Sequence, residues 1–180
     1  MHPVLPLATL GRRIIILGPS NAGKSTLAAA LARKLDISVV HIDLLHHQPN
    51  TNWVPRPKAE FVALHDAAIE GESWVMEGNY MGLFPQRAAR ATGIIMPGSR
   101  RWPALFRYVR RTLLQRKRVG MLAGGEDRLN LTMMRFIMIE QPPKRARDVA
   151  LARATGLPLI ELHSMAELKA LYAAWDLPRP

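Results

Sequence analysis

Gly18-Pro19-Ser20-Asn21-Ala22-Gly23-Lys24-Ser25 has the form G-x-x-x-x-G-K-[ST]. Ahead of it, Arg13–Leu17 is a short β-branched run. Behind it, Ser25–Leu35 is an Ala/Leu-rich helical pattern. A strand that turns through glycines into a helix is what a phosphate cradle needs. The glycines let the backbone curl, so that successive N–H groups face one anion. The helix adds the positive end of its dipole. The residues predicted to line such a cradle are Gly18, Ser20, Asn21, Ala22, Gly23, Lys24, Ser25 and Thr26. Lys24 is expected to reach the β/γ-phosphates of a nucleoside triphosphate as a point charge. The Ser25 hydroxyl is expected to ligate Mg²⁺.

Outward from this loop the chain alternates short apolar runs with helical patterns. Ser38–Ile42 is a second run, Trp74–Met76 a third, Gly93–Met96 a fourth and Leu157–Leu162 a fifth. Lys58–Glu70 reads as an amphipathic helix with Phe61, Leu64 and Ala68 on one side. Trp102–Arg118 reads as a long basic helix with Pro103 in its first turn. Asn130–Glu140 and Lys144–Ala154 read as two helices separated by Pro142-Pro143. Ser164 and Glu167 have capping-box spacing ahead of Leu168, Leu171, Tyr172 and Trp175. The alternation implies an α/β fold, a parallel sheet with helices on both faces. It lapses at Arg100–Gln141, the expected site of an inserted helical lid (about 100–141) in one domain spanning 1–180.

Composition narrows the classes. The chain has 180 residues, 48% of them hydrophobic, and no cysteine. That length is ordinary for one domain. The lack of cysteine excludes disulfide scaffolds, Cys-ligated zinc and cysteine nucleophiles, and it fits a reducing, cytoplasmic setting. Ile14–Leu17 is too short to span a membrane, and Met1–Leu10 lacks the basic start of a secretory signal, so no membrane partner is expected. The net charge is +11. From Gly78 to Gly125 there is no Asp or Glu, while that stretch holds Arg87, Arg90, Arg100, Arg101, Arg107, Arg110, Arg111, Arg116, Lys117 and Arg118. Such an arginine field expects a polyanion.

In an open parallel sheet, ligands sit beyond the carboxyl ends of the strands. Asp43, at the end of the second run, is the candidate to orient or deprotonate an acceptor hydroxyl. Glu77, at the end of the third, is the candidate to hold the Mg²⁺ water shell. His41, His46 and His47 match no zinc spacing. No guanine-reading Asn-Lys-x-Asp occurs.

These segments resemble the adenylate-kinase-like P-loop proteins over Ile14–Trp175. Within them the resemblance is to small bacterial P-loop ATPases labelled "DNA topology modulation protein". It is carried by Gly18–Thr26, His41–Asp43 with Trp53, Trp74–Tyr80, Arg100–Arg118, and Glu126–Pro143 with Lys144–Arg147. It implies a three-layer nucleotide-kinase-like fold with a five-stranded parallel sheet, ATP and Mg²⁺ as cofactors, and a lid whose arginines close over phosphates. By that similarity Lys24 and Ser25 are phosphate and magnesium residues, and Glu77 takes the acidic position. Arg107, Arg110 and Arg111 fall where nucleotide kinases keep transition-state arginines. The family's acidic positions around the fourth strand are absent from Ala91–Arg100.

Three readings follow. The first is a kinase that moves the ATP γ-phosphoryl group to a small-molecule or nucleotide acceptor, with slow hydrolysis in its absence. The second is a nucleotide-dependent nucleic-acid binder using the basic segment 87–118. The third is a catalytically weak ATP-binding protein. The residues name neither the acceptor nor the oligomeric state.

Overall fold

Four residues at Arg13–Ile16 (β1) show how the sheet is built. Ile14 and Ile16 face one side and Ile15 the other, and all three are fully buried. Period-two alternation with apolar residues on both faces requires a covering layer on each side. In the computed structural model, which describes residues 5–114 and 129–178, both layers are present.

Helix α1 (Lys24–Leu35) follows β1, then β2 (Ser38–His41), a short α2 (Ile42–His46) and α3 (Lys58–Ile69). Next come β3 (Trp74–Glu77), α4 (Phe84–Arg90), β4 (Gly93–Met96) and the basic α5 (Arg101–Leu114). The remainder is α6 (Leu131–Arg135), α7 (Gln141–Ala154), β5 (Leu159–Glu161) and α8 (Met165–Ala174). The five strands are all parallel, in the order β2-β3-β1-β4-β5. On one face Ile14 and Ile16 pack with Leu27 and Leu31 of α1 and with Leu168 and Leu171 of α8. On the other, Ile15 and Leu17 pack with Phe61 and Ile69 of α3 and Phe84 of α4. The cap expected at α8 is present: the Ser164 hydroxyl accepts the Glu167 N–H at 3.2 Å, while the Glu167 carboxylate reaches one residue beyond the cap and accepts the His163 N–H at 2.8 Å.

Several sequence expectations are corrected. Strand β2 stops at His41, so Ile42 and Asp43 open α2 instead of ending a strand. Pro142-Pro143 does not separate two helices. Phe136–Glu140 is a π-helical turn that joins α6 directly to α7, and the prolines occupy the first turn of α7. Proline lacks the N–H that carbonyls one turn earlier would use, and the wider π-turn carries the helix past that deficit. The short α4 and a 3₁₀ turn at Leu7–Leu10 carry too few residues to show a period. The stretch of the expected basic helix beyond Leu114, with Arg116, Lys117 and Arg118, lies outside the described residues, as do Met1–Val4 of the leader and Glu126. No described helix is long and apolar enough to cross a membrane.

Leu171 is fully buried between α8 and the sheet. Leu171→Ala should lower unfolding stability by about 2–5 kcal/mol. Urea titration checks this, and a loss under ~1 kcal/mol would show that the α8 layer contributes little to the core.

Candidate functional site

The loop between β1 and α1 takes backbone conformations that glycine adopts without steric cost. Gly18 has φ 153, and a Cβ there would lie 2.4 Å from the Pro97 carbonyl oxygen. Gly23, at φ 84, precedes α1 and offers no side chain to cap it. The first-turn N–H groups of α1 therefore keep their capacity for an anion. The Lys24 ammonium donates to the Pro19 carbonyl at 3.1 Å, folded over the loop it belongs to.

Sheet order decides what sits beside this loop. Because β3 lies between β2 and β1, Glu77 is in register with Ile16 on one side and His41 on the other. Its carboxylate is almost fully buried. One oxygen accepts the Ser25 hydroxyl at 2.9 Å and the His41 Nδ1–H at 2.8 Å. A carboxylate only accepts, so His41 must carry its proton on Nδ1. Burial pushes the Glu77 carboxyl up. The His41 hydrogen bond, the Lys24 charge and the Ser25 hydrogen bond outweigh it and hold the group below the ordinary carboxylate value.

The turn after Glu77 ties the remaining parts together. Asn79 Oδ1 accepts the Gly18 N–H at 2.9 Å. The Tyr80 hydroxyl donates to Asp43 Oδ1 at 2.7 Å. Tyr80 holds φ 26, a backbone state that is costly for a non-glycine residue. Arg87 braces the turn from beneath: fully buried, it donates through Nη2 to the carbonyls of Gly78 and Asn79. Burial pulls its guanidinium down to about 10. Beside Asp43, the rings of His46, His47, Phe61, Tyr80 and Trp53 form a continuous wall, neighbouring centroids lying 4.5 to 5.3 Å apart.

Helices α5 and α7 both reach the phosphate loop. Arg107 of α5 donates through Nε to the Asn21 carbonyl at 2.9 Å and also bonds the Ser99 hydroxyl. Gln141, at the start of α7, accepts the Ser20 N–H at 2.8 Å. Asp148, about two turns further along α7, is buried. Burial pushes its carboxyl up, and Arg147 and Lys144 partly offset this.

The structure thus brings Gly18, Ser20, Asn21, Lys24, Ser25, Asp43, Glu77 and Arg107 into one bonded neighbourhood. Ala22 is buried, and Thr26 lies in the first turn of α1. Arg110 is exposed on α5, and the Arg111 side chain lies outside the described residues. Two parts of the polyanion reading are corrected. Arg87 is inside the protein and unavailable to a polyanion. Tyr108 is turned inward with Ala104 and Ile137, which leaves Trp102 and Phe106 as the exposed rings of α5. Sequence reasoning missed Gln141, which no motif marks, and missed the bracing role of Arg87, hidden in a run of surface arginines.

Ser25 and Glu77 offer one hydroxyl and one carboxylate, hard oxygen donors suited to Mg²⁺ once phosphates and water complete its shell. Among the described residues no three His, Asp or Glu side chains gather to hold a metal by themselves.

A shikimate kinase from Bacteroides thetaiotaomicron has a similar structure, with TM-score 0.53 and 19% identity over 91% of this chain and 98% of its own. A shikimate kinase from Acinetobacter baumannii, in complex with shikimate, matches with TM-score 0.52 and 16% identity over 94% and 96% of the two chains. At this identity the likeness establishes the shared fold alone, a five-stranded parallel sheet covered by helices. No protein-family model matches the chain, and no curated protein matches it. The narrower DNA-topology resemblance thus gains nothing from these comparisons.

The His41–Glu77–Ser25 network should also register in stability. Glu77 is held low in the folded state, so its contribution is present above the unfolded carboxyl value of ~4.3 and is lost as pH falls through the folded value. Glu77→Gln should cost about 1–3 kcal/mol at pH 7. The gap between variant and wild type should narrow in urea titrations repeated near pH 3.5. A gap of equal size at both values would remove the ionised carboxylate from the account.

Proposed function

We propose that this protein is an ATP-dependent phosphotransferase acting on a small hydroxylated acceptor. The observation that carries the reading is the Glu77–Tyr80 turn, which binds the phosphate loop, the candidate magnesium residues and Asp43 into one network. A general base held by the same turn as the phosphate loop is what in-line transfer needs.

In this reading the phosphate-loop N–H groups and Lys24 bind the triphosphate. Ser25 and Glu77 would hold Mg²⁺, which when bound would neutralise phosphate charge. Asp43, oriented by Tyr80, accepts the acceptor's hydroxyl proton. The freed oxygen attacks the γ-phosphorus, the bond to the β–γ bridging oxygen breaks, and ADP leaves. Arg107, which donates to the Asn21 carbonyl of the loop, meets the charge on the moving phosphoryl group in this reading. Residues 100–141 form the lid of a single domain spanning 1–180. Arg110 and Arg111 join Arg107 when that lid closes. Water exclusion by the lid keeps hydrolysis slow without acceptor. A cysteine-free chain suits the reducing cytoplasm, where ATP is held. The small bacterial P-loop family that Trp74–Tyr80 resembles fits the same chemistry.

The decisive experiment is ADP formation from Mg-ATP with and without pooled nucleosides, nucleoside monophosphates and small hydroxylated metabolites. Stimulation by one pool is expected. Mg-ATP binding with no stimulation by any pool would instead mark a nucleotide-binding protein that transfers nothing to these compounds.

Lys24→Ala should weaken Mg-ATP binding about 10- to 100-fold by calorimetry. Unchanged affinity would overturn the phosphate-loop assignment. Asp43→Asn should keep the Mg-ATP Kd and lower kcat about 10²–10⁴-fold. Turnover within twofold of wild type would show that Asp43 is not the base.

A further inference from the structure

Helix α5 carries two apolar faces, and the protein covers one of them. Ala104 and Tyr108 are buried against Ile137 of the π-helical turn. Trp102, Phe106 and Leu113 point elsewhere and are 68%, 69% and 65% exposed. At about 100° per residue, these three fall within about 40° of arc and form a ridge about 16 Å long. A surface helix ordinarily needs one apolar stripe, for the core it packs on. Single exposed apolar residues are common, but a Trp, a Phe and a Leu in one row make a contact surface. The segment packed on α5 is apolar outward as well: Leu131 is 82% and Ile139 64% exposed. Arg100 and Arg101 are exposed where the ridge begins, and Arg110 is exposed beside it. From Gly78 to Gly125 the sequence holds no Asp or Glu to offset them.

We infer that the uncovered face of α5 docks on an anionic membrane surface. Trp102, Phe106 and Leu113 sit at the boundary between headgroups and acyl chains, and Arg100 and Arg101 meet lipid phosphates. Charge complementarity selects this occupant. A second copy of the chain would bring the same acid-free, arginine-rich face against itself and is repelled. Nucleic acid matches the charge, but its phosphate backbone offers nothing apolar to Leu113, and the ridge is a convex row, not a groove that tracks a strand. A basic helix with Trp, Phe and Leu along one side suits an anionic bilayer on both counts. Such a helix lies in the plane of the surface. The expectation of no membrane partner, drawn from the lack of a spanning segment, therefore does not extend to it. The inference goes beyond the kinase reading and does not rest on it, since Arg107 reaches the phosphate loop from a different face of α5.

The test is co-sedimentation of the full-length protein with vesicles of phosphatidylcholine alone and with about 30 mol% phosphatidylglycerol added. Binding to the anionic vesicles should be about tenfold tighter or more, and should weaken about fivefold or more between about 0.1 and 0.5 M salt. Trp102→Ser with Phe106→Ser should weaken it about tenfold or more. Arg100→Ala with Arg101→Ala should weaken it about tenfold. General attraction of a chain carrying +11 would survive loss of the two rings, so the first pair separates docking from mere charge. All four side chains are exposed. Both double variants should therefore keep the melting temperature within about 2 °C and the Kd for a non-hydrolysable ATP analogue within about twofold, which a misfolded variant would not. The proposal is overturned if neither vesicle is bound, if neutral vesicles are bound as tightly as anionic ones, or if either double variant binds anionic vesicles as the wild type does. Two parallel measurements name the other occupants. Binding of a single-stranded oligonucleotide that depends on Trp102 and Phe106, with vesicles unbound, gives the face to nucleic acid and overturns the inference. A dimer in size-exclusion chromatography that the Trp102/Phe106 variant dissociates, with vesicles unbound, gives it to a second copy and overturns it equally.

Discussion

One buried carboxylate sets the terms for this end of the protein. Glu77 sits at the carboxyl end of the middle-left strand of the sheet, nearly out of reach of water. Ionised there, it must be hydrogen-bonded or the fold carries a large desolvation cost. Both bonds to its inner oxygen come from elements that only the sheet order brings near: His41 from β2 and Ser25 from the first turn of α1. Strand β3 can therefore neither slip in register nor exchange places with a neighbour without stranding that charge. The requirement that satisfies Glu77 also delivers a hydroxyl and a carboxylate oxygen side by side at the phosphate loop.

The turn that follows converts this anchor into a site. Its backbone is held from below by Arg87, a buried guanidinium bonded to two successive carbonyls, and from above by Asn79 and Tyr80. The positive φ at Tyr80 fits that picture, since strain of this kind persists where the surroundings over-determine the backbone. A second set of bonds joins the α5–α7 region to the same loop, through Arg107 on Asn21 and Gln141 on Ser20. Two adjacent residues of the phosphate loop are thus tied to two different helices, α5 and α7.

Much of the fold was legible in the residues. The G-x-x-x-x-G-K-S spacing between a β-branched run and an Ala/Leu run marks a strand, a cradle and a helix, because few other local structures tolerate that pattern. The five strands of the sheet fall on the five apolar runs, and the Ser164 cap reads correctly because it is a local interaction. The misreadings share a cause. Pro142-Pro143 reads as a break, yet the π-turn before it lets the helix continue, and that turn is stabilised by packing of Ile137 against α5. Arg87 reads as one more surface arginine, since nothing in its neighbours reveals that α4 turns it under the Gly78–Asn79 carbonyls. Gln141 carries no motif, and its partner Ser20 lies 121 positions away in the chain.

By itself, the sequence determined what depends on neighbours along the chain: the phosphate cradle, the five strands, the longer helices, the Ser164 cap, and a core that needs a layer on each face. Tertiary structure alone decided which carboxylate meets Ser25, which arginine is buried as a brace, which one reaches the phosphate loop, and which apolar face of α5 is left uncovered. The physical reason is range. Propensity, hydrophobic period and glycine φ act within a few residues. The burial of a charge and the partner that compensates it are fixed only when strands distant in sequence are placed side by side.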